Sequence, residues 1–159
     1  MRKLWNYAPY PVWSLSTVDD KSKPNMNICS YVSPISMKPK EFMVAIYYNT
    51  KTLENIRLHK RGFLQLLSVN QTHLVRTLGK KSSLIVNKMK RVLEKEVIIP
   101  VGDYALLAES IGYIEIEFYE LLETSADHVV GLARVVSSRN LNEIEPLNIG
   151  HLQGKGIIS

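Results

Sequence analysis

The run FMVAIYY at residues 42–48 is the feature that most constrains the fold of this chain. Its residues are apolar on both of the faces that a strand presents alternately. A strand of this kind lies inside a sheet and is covered on both sides. The polar sequence NTKT follows directly, so we expect a central strand that leads straight into a helix.

Further strands follow the same logic of alternation and short turns. Residues 11–18 alternate in character, the turn sequence DDKSKPN follows, and residues 25–30 return as a hairpin partner. Strands are also expected over residues 63–69, from Ile111 onward, and over HVVGLARVVSS after the loop ETSAD. Many strands with two or three helices predict a mainly β fold, a closed or nearly closed antiparallel barrel with flanking helices.

The helices are predicted from their caps and end charges. Thr52 is the expected N-cap of a helix over residues 53–60, with Gly62 following its end. A second helix is expected over residues 70–79. Residues 83–95 fit either a helix with an apolar stripe or a long, partly ordered segment, and the pattern does not decide between the two.

Size and composition predict one domain over residues 1–159. The chain has 159 residues and 45% hydrophobic residues, and it contains no repeat or linker that would divide it. Its single cysteine, Cys29, excludes an internal disulfide and favours a reducing, cytoplasmic setting. No stretch resembles a membrane span or the apolar core of a signal peptide, so we expect no membrane association.

The net charge of +5 would suit a nucleic acid, an anionic cofactor or solubility alone. The basic groups at Lys80-Lys81 and at Lys88, Lys90 and Arg91 lack the interleaved aromatic residues of a nucleic-acid stacking platform. No nucleic-acid partner is therefore expected, and a basic nucleic-acid-binding barrel is the weakest hypothesis. The histidines show no metal-ligand spacing, so no metal site is predicted.

The start of the predicted first helix is a candidate anion site. The first turn of a helix has unpaired N–H groups and partial positive charge, and hydroxyl and ammonium groups beside it would complete a phosphate cradle. The residues concerned are Asn49, Thr50, Lys51 and Thr52. The alternative interpretation is that Thr52 only caps its helix and that Lys51 is solvated.

A bend is expected before the central strand, up to Pro39. Its exposed backbone groups could bond the edge of a flat heterocycle, and the alternative is an ordinary proline-containing loop with local serine contacts. The candidate residues in this bend are Ser30, Tyr31, Val32, Ser33 and Ser36.

The segment NMNICSYVSPISMKPKEFMVAI resembles the signature of flavin reductase-like proteins of the FMN-binding split-barrel type. The matching residues of this segment are Asn25, Ser30, Tyr31, Ile35, Ser36 and Pro39. The family's Lys-Thr element followed by Asn-Ile is similar to Lys51, Thr52, Asn55 and Ile56. LVRTLGKKS and ADHVVGLARVV follow in the family's order, so the resemblance covers roughly residues 11–138.

The resemblance implies an FMN-binding split β-barrel that forms a homodimer with FMN near the subunit interface. It places the flavin ring against Ser30, Tyr31, Val32 and Ser33, and the phosphate against Thr50, Lys51 and Thr52. Lys80, Lys81 and Ser82 are a second candidate for the phosphate or for a dinucleotide, or else a charge pair at a helix end.

His128 is the last candidate, because the family has a histidine near the nicotinamide side of its site. Its alternative role is that of a strand-end residue bonded to Asp127. The chain also departs from the family pattern: Lys38 and Lys40 replace an acidic residue and a proline, and Asn27-Ile28 replaces Ala-Pro.

The function implied by the resemblance is that of an FMN-dependent NAD(P)H oxidoreductase. Such a protein accepts hydride from NAD(P)H and passes electrons to free flavin, a small acceptor or a partner protein. The cofactor carries the reaction, so no residue is predicted to be catalytic. A non-catalytic flavin-binding or electron-transfer module shares the same binding features and is the alternative.

Overall fold

The computed structural model describes residues 4, 7, 9–79 and 87–158. The strands are β1 (Trp13–Val18), β2 (Pro24–Cys29), β3 (Val32–Met37), β4 (Lys40–Tyr47), β5 (Arg61–Leu66), β6 (Ile98–Val101), β7 (Tyr104–Leu107), β8 (Gly112–Leu122) and β9 (His128–Asn140). The helices are α1 (Lys51–His59), α2 (Thr72–Gly79), α3 (Lys88–Lys95) and α4 (Ile149–Gly154), with a 3₁₀ turn at Val69–Gln71 before α2.

Seven strands form one antiparallel sheet in the order β2-β1-β5-β8-β9-β4-β3. Its two edge strands, β2 and β3, are consecutive in the chain and are joined only by Ser30 and Tyr31. A link of this length spans at most about 10 Å, roughly two strand spacings, so the sheet must curl until its edges nearly meet. The predicted mainly β split barrel with flanking helices is confirmed.

Two apolar cores lie on opposite faces of this sheet. The core inside the barrel consists of Leu15, Phe42, Val44, Ile46, Leu53, Ile56, Leu64, Ile116, Phe118, Val129 and Ala133. The second core is covered by α2, α3, α4 and the β6–β7 hairpin, and its central members include Val12, Met26, Leu67, Leu74, Leu78 and Leu107. The β1–β2 hairpin contributes to both cores, which fixes its position.

Helix α1 differs from its prediction at both ends. Its N-cap is Thr50, not Thr52, because the Leu53 N–H donates to Thr50 Oγ1 at 3.2 Å. Its C-cap is Lys60, in the left-handed conformation with φ 56°. Gly62 is not a helix stop but a residue of β5, where a Cβ atom would lie 2.9 Å from Leu15 Cδ1.

A buried polar cluster attaches the start of α1 to the β1–β2 hairpin. Asn25 Nδ2 donates to Thr17 Oγ1 at 3.2 Å and to Thr52 Oγ1 at 3.1 Å. Asn55 Nδ2 donates to the same Thr17 hydroxyl at 3.0 Å. All four residues are buried, so these hydrogen bonds form in an environment where an unpaired polar group is costly.

Several other expectations are corrected or completed by the structure. The bend expected over residues 30–36 is largely a strand, because β3 begins at Val32 and pairs with β4. The ambiguous segment contains a helix, α3, while residues 80–86 lie outside the described part of the chain. The β6–β7 hairpin was not predicted, although Gly102 and Asp103 form a two-residue turn between its strands.

The remaining predicted strands and the second helix are present. The loop ETSAD connects β8 to β9, as expected, and Glu115 of β8 is buried beside Arg61 and Ser137. No helix in the described residues is both long enough and apolar enough to cross a membrane.

Candidate functional site

A cavity of about 190 Å³ opens where the edges of the barrel approach each other. The end of β2, the two-residue link and the ends of β4 and β9 form its walls. Its lining residues are Asn27, Ile28, Cys29, Ser30, Tyr31, Ala45, Tyr47 and His128. The chain crosses from one edge of the sheet to the other at this point, so the cavity occupies the split of the barrel.

One wall of the cavity is aromatic. His128 lies opposite Tyr47 in the β4–β9 register, and their ring centroids are 3.9 Å apart with an interplanar angle of 35°. The ring of Tyr31 lies 5.4 Å from the same imidazole. Tyr31 and Tyr47 are both more than half exposed, so this wall offers flat apolar surface to a planar ligand.

The orientation of His128 is set by its neighbour in the chain. His128 Nδ1 lies 2.6 Å from Asp127 Oδ1. A carboxylate only accepts hydrogen bonds, so Nδ1 carries the proton and Nε2 is the second polar atom of the ring. The predicted alternative, a strand-end histidine bonded to Asp127, is therefore observed, and it coexists with a place in the cavity wall.

The start of α1 is joined to this wall. Thr50 Oγ1 donates to the carbonyl oxygen of Tyr47 at 2.9 Å while it accepts from the Leu53 N–H. Asn49 forms the turn between them with φ 55°, a left-handed conformation that asparagine tolerates. The positive end of the helix dipole thus lies at the end of the strand that lines the cavity.

Lys51 supplies the charge at this helix start. Its side chain is 26% exposed, and its Nζ lies 3.5 Å from Glu54 Oε2. The pKa of the Asp19 carboxyl group lies below its usual value. Burial raises this pKa, but hydrogen bonds from the backbone N–H groups of Lys23 and Lys21 and the charge of Lys51 together lower it by more. Lys51 therefore has two acidic neighbours, with which an anionic ligand would compete.

Thr52 is placed differently from the other predicted phosphate residues. It is 2% exposed, and its hydroxyl accepts from Asn25 in the buried cluster. That hydroxyl is turned into the protein, so Thr50 and Lys51 are the side chains left for an anion at this helix start.

The predicted ring-facing residues divide into two pairs. Ser30 and Tyr31 line the cavity. Val32 packs against the core inside the barrel, and Ser33 lies in β3 with its hydroxyl donating to the carbonyl of Pro34. The phosphate candidates Lys80, Lys81 and Ser82 lie outside the described residues.

Five lining residues were not singled out as site residues from the sequence: Asn27, Ile28, Cys29, Ala45 and Tyr47. Ala45 is the one small residue of the run FMVAIYY, which is the signal that could have identified the wall. Tyr47 could not be found this way, because only the long-range pairing with His128 brings it to the site. Burial raises the pKa of the Cys29 thiol to about 12, so this thiol is not an activated nucleophile.

A hydrogen-bonded clamp holds the β8–β9 loop against α1. Tyr48 Oη donates to Glu123 Oε2 at 2.9 Å, and Arg57 donates to the other carboxylate oxygen at 2.7 Å. The Thr124 N–H donates in turn to Tyr48 Oη at 2.9 Å. These contacts hold the loop that leads to His128 against α1.

The cavity opens beside a largely apolar sheet surface, which we call the outer β4–β9 face. It consists of Met43, Ala45, Tyr47, His128, Val130 and Leu132, the residues of these strands that point away from the barrel core. Tyr47 is 57% exposed and the other five are half-buried. Leu122 on β8, beside Val130, extends this apolar surface and is 42% exposed.

These features fit a flavin in part. A flat aromatic wall, polar groups at the end of β2 and a cationic helix start are joined within one site, as a planar ring with a phosphate tail requires. A cavity of about 190 Å³ is smaller than the roughly 300 Å³ or more that buries a ligand of this size. The cavity of one chain therefore does not enclose a whole ligand of this size. Within the described residues no cluster of His, Cys, Asp or Glu side chains could hold a metal ion.

Comparison with solved structures identifies the fold. An FMN-binding protein from Thermus thermophilus with bound 1-cyclohex-2-enone has a TM-score of 0.74 at 19% identity, covering 88% of this chain and 75% of that chain. The NADH:FAD oxidoreductase SgcE6 of Streptomyces globisporus has a TM-score of 0.78 at 14% identity, covering 94% and 87%. The styrene monooxygenase flavin reductase of Pseudomonas putida S12 has a TM-score of 0.75 at 16% identity, covering 89% and 86%.

Comparison by sequence extends over nearly the whole chain. A search of curated proteins found no match. The family described as "Flavin reductase like domain" matches residues 5–153, which include every described strand and the cavity between the barrel edges. The chain therefore belongs to the flavin reductase like domain family.

Proposed function

We propose that this protein is an FMN-dependent NAD(P)H oxidoreductase of the flavin reductase-like class. The observation that carries the proposal is the hydrogen bond from Thr50 to Tyr47, which joins a cationic helix start to an aromatic cavity wall. Solved structures with the same fold are described as an FMN-binding protein, an NADH:FAD oxidoreductase and a flavin reductase, which supports the choice of ligand class.

In this proposal each part of the site has a separate task. Thr50, Lys51 and the first turn of α1 hold the phosphate through charge and N–H groups. Ser30 and Tyr31 hold the ring edge, and the stacked rings of Tyr47 and His128 exclude water from one side. When FMN is bound, it supplies a hydride acceptor and a donor of electrons to free flavin or another acceptor.

We further propose that the functional form is a homodimer. The cavity opens beside the outer β4–β9 face, and a single chain leaves this apolar surface partly exposed. A second copy packed on this face would bury the apolar surface and close the cavity over the ligand. Size-exclusion chromatography with light scattering tests this, and a monomer at micromolar concentration would contradict it.

The flavin proposal is tested by titration of FMN followed by its fluorescence. We expect saturable binding at micromolar concentrations, and no binding in this range would reject the proposed function. Anaerobic addition of NADH or NADPH should then bleach the flavin absorbance. Binding without bleaching by either nucleotide would instead identify a flavin-binding or electron-transfer module.

A further inference from the structure

The side-chain amide of Asn27 is held in one orientation by the neighbouring strand. Asn27 on β2 lies opposite Leu15 on β1, and the Leu15 N–H donates to Asn27 Oδ1 at 3.2 Å. A backbone N–H can only donate, so the atom that faces it must be the amide oxygen. The NH₂ group is therefore the second arm of this side chain.

Asn27 is also a residue of the cavity wall. Asn27 is half-buried and lines the cavity at the end of β2, next to Ser30 and Tyr31 in the wall. Within the described residues, the hydrogen bond to Leu15 is the one that the Asn27 side chain makes. Its Nδ2 donors thus have no acceptor among the described residues, and a ligand in the cavity is an available partner.

The family pattern has an alanine at this position, and alanine offers no donor. Relative to the pattern that this segment resembles, Asn27 adds a hydrogen-bond donor. The flavin ring system has carbonyl oxygens and unprotonated ring nitrogens along one edge, and these atoms accept hydrogen bonds. A donor with a fixed orientation favours a ligand whose edge carries acceptors over a ligand whose edge carries none. A ligand without an acceptor would leave the NH₂ group of Asn27 unpaired.

We propose that Asn27 is a specificity-determining residue that donates a hydrogen bond from Nδ2 to an acceptor on the edge of the flavin ring. This inference rests on the proposed function. Asn27 contacts the ring and not the phosphate, so its contribution is the same for riboflavin, which has no phosphate, as for FMN.

The decisive variant is Asn27→Asp. The aspartate keeps an oxygen for the Leu15 N–H but turns the donor arm into a second acceptor. We expect the Kd for FMN and for riboflavin to rise at least tenfold and by the same factor. Asn27→Ala removes the arm without introducing repulsion, and we expect a rise of about three- to tenfold.

Asn140→Asp is the matched control. It makes the same change of charge at an exposed position at the opposite end of β9 from His128. We expect it to bind both flavins like the wild type. Urea unfolding of every variant checks that a change in Kd does not come from loss of the fold, and Asn27→Ala decides if Asn27→Asp does not fold.

Three results overturn the inference, and they differ in what they say about function. If both Asn27 variants bind flavin like the wild type, the donor role is wrong while the proposed function stands. If the wild type itself binds neither FMN nor riboflavin, both proposals fail. A loss of FMN affinity with unchanged riboflavin affinity also overturns the inference, since it would place Asn27 at the phosphate.

Discussion

Asn25 and Asn27 are the same residue type, two positions apart on the same face of β2, yet their surroundings differ. Asn25 is 4% exposed and donates to the hydroxyls of Thr17 and Thr52. Asn27 is half-buried, accepts from Leu15 and lines the cavity. The first amide connects parts of the protein, and the second is available to a ligand.

The difference shows that residue type alone does not distinguish a structural amide from a binding amide. Both side chains could contact a ligand if the sequence were the only information. Burial and the number of protein partners separate them, because a buried amide must find its partners inside the protein. Asn25 matches the family pattern and Asn27 departs from it, so here the family-like residue supports the scaffold.

The largest expected effect is on stability, from Asn25→Ala. The change leaves the buried hydroxyl of Thr52 without its donor and removes one of the two donors to the hydroxyl of Thr17, and we expect it to lower the free energy of unfolding by about 2–3 kcal/mol. Urea unfolding measures this loss. Asn27→Ala is the comparison variant and should cost less than about 1 kcal/mol. Equal losses in the two variants would remove the distinction drawn between them.

The second effect is on binding, from Lys51→Glu. This change replaces the cation at the start of α1 with an anion, and we expect FMN affinity to fall tenfold or more. Riboflavin affinity should change little, in contrast to the Asn27 variants. Lys90→Glu makes the same change of charge on the exposed side of α3 and serves as control. If Lys51→Glu and the wild type bind FMN with equal affinity, the phosphate binds to another part of the protein.

Cys29 extends the comparison to the next residue on this face of β2. Its thiol has a pKa of about 12 because of burial, so at pH 8 its thiolate fraction is about one in ten thousand. Alkylation by iodoacetamide at pH 8 should therefore be at least about tenfold slower than that of free cysteine. A rate equal to that of free cysteine would contradict the raised pKa of this thiol.

The same thiol predicts a dependence of stability on pH. Its pKa is higher in the folded state, so the unfolded chain loses the proton first as the pH rises above about 9. The stabilisation is complete below that pH and is lost progressively up to about pH 12. The free energy of unfolding of the wild type should fall more steeply between pH 9 and 11 than that of Cys29→Ala. If the free energy of unfolding falls equally steeply with pH in the wild type and in Cys29→Ala, the pH dependence does not come from Cys29.

The smallest expected effect comes from the clamp at Glu123. Hydrogen bonds from Tyr48 and Arg57 lower the pKa of this carboxyl group. Its contribution is therefore present above about pH 4.5 and is lost as the pH falls through the lowered value. Glu123→Gln should be slightly less stable than the wild type at pH 7, and the difference should shrink at pH 3. Glu143→Gln, in the exposed segment after β9, should show no such convergence.

The sequence predicted the strands and the first helix better than it predicted which side chains reach the site. Alternation along β1 and β8 and the apolar run of β4 are local signals, and the structure confirms these strands. The cap of α1 was misassigned because Thr50 and Thr52 are both suitable residues. The choice between them depends on Asn25, which lies far away in sequence and buries the hydroxyl of Thr52.

The candidate site shows the same limit. Ser30, Tyr31 and His128 were predicted as site residues, and the structure brings them to one cavity. Val32 was predicted to face the ligand, but the alternation of β3 turns it toward the barrel core. Tyr47 reaches the cavity through its pairing with His128, 81 residues further along the chain, and no local pattern carries that information.

The two-residue link between β2 and β3 has a further consequence for the behaviour of the protein in solution. Open sheets carry unpaired N–H and C=O groups at their edges, and these groups can recruit strands from other molecules and start aggregation. Ser30 and Tyr31 hold the ends of both edges about 10 Å apart or closer, so that at most one foreign strand could fit between them there. We expect a longer, flexible link to make the protein more prone to form fibrils, even if its flavin affinity were unchanged.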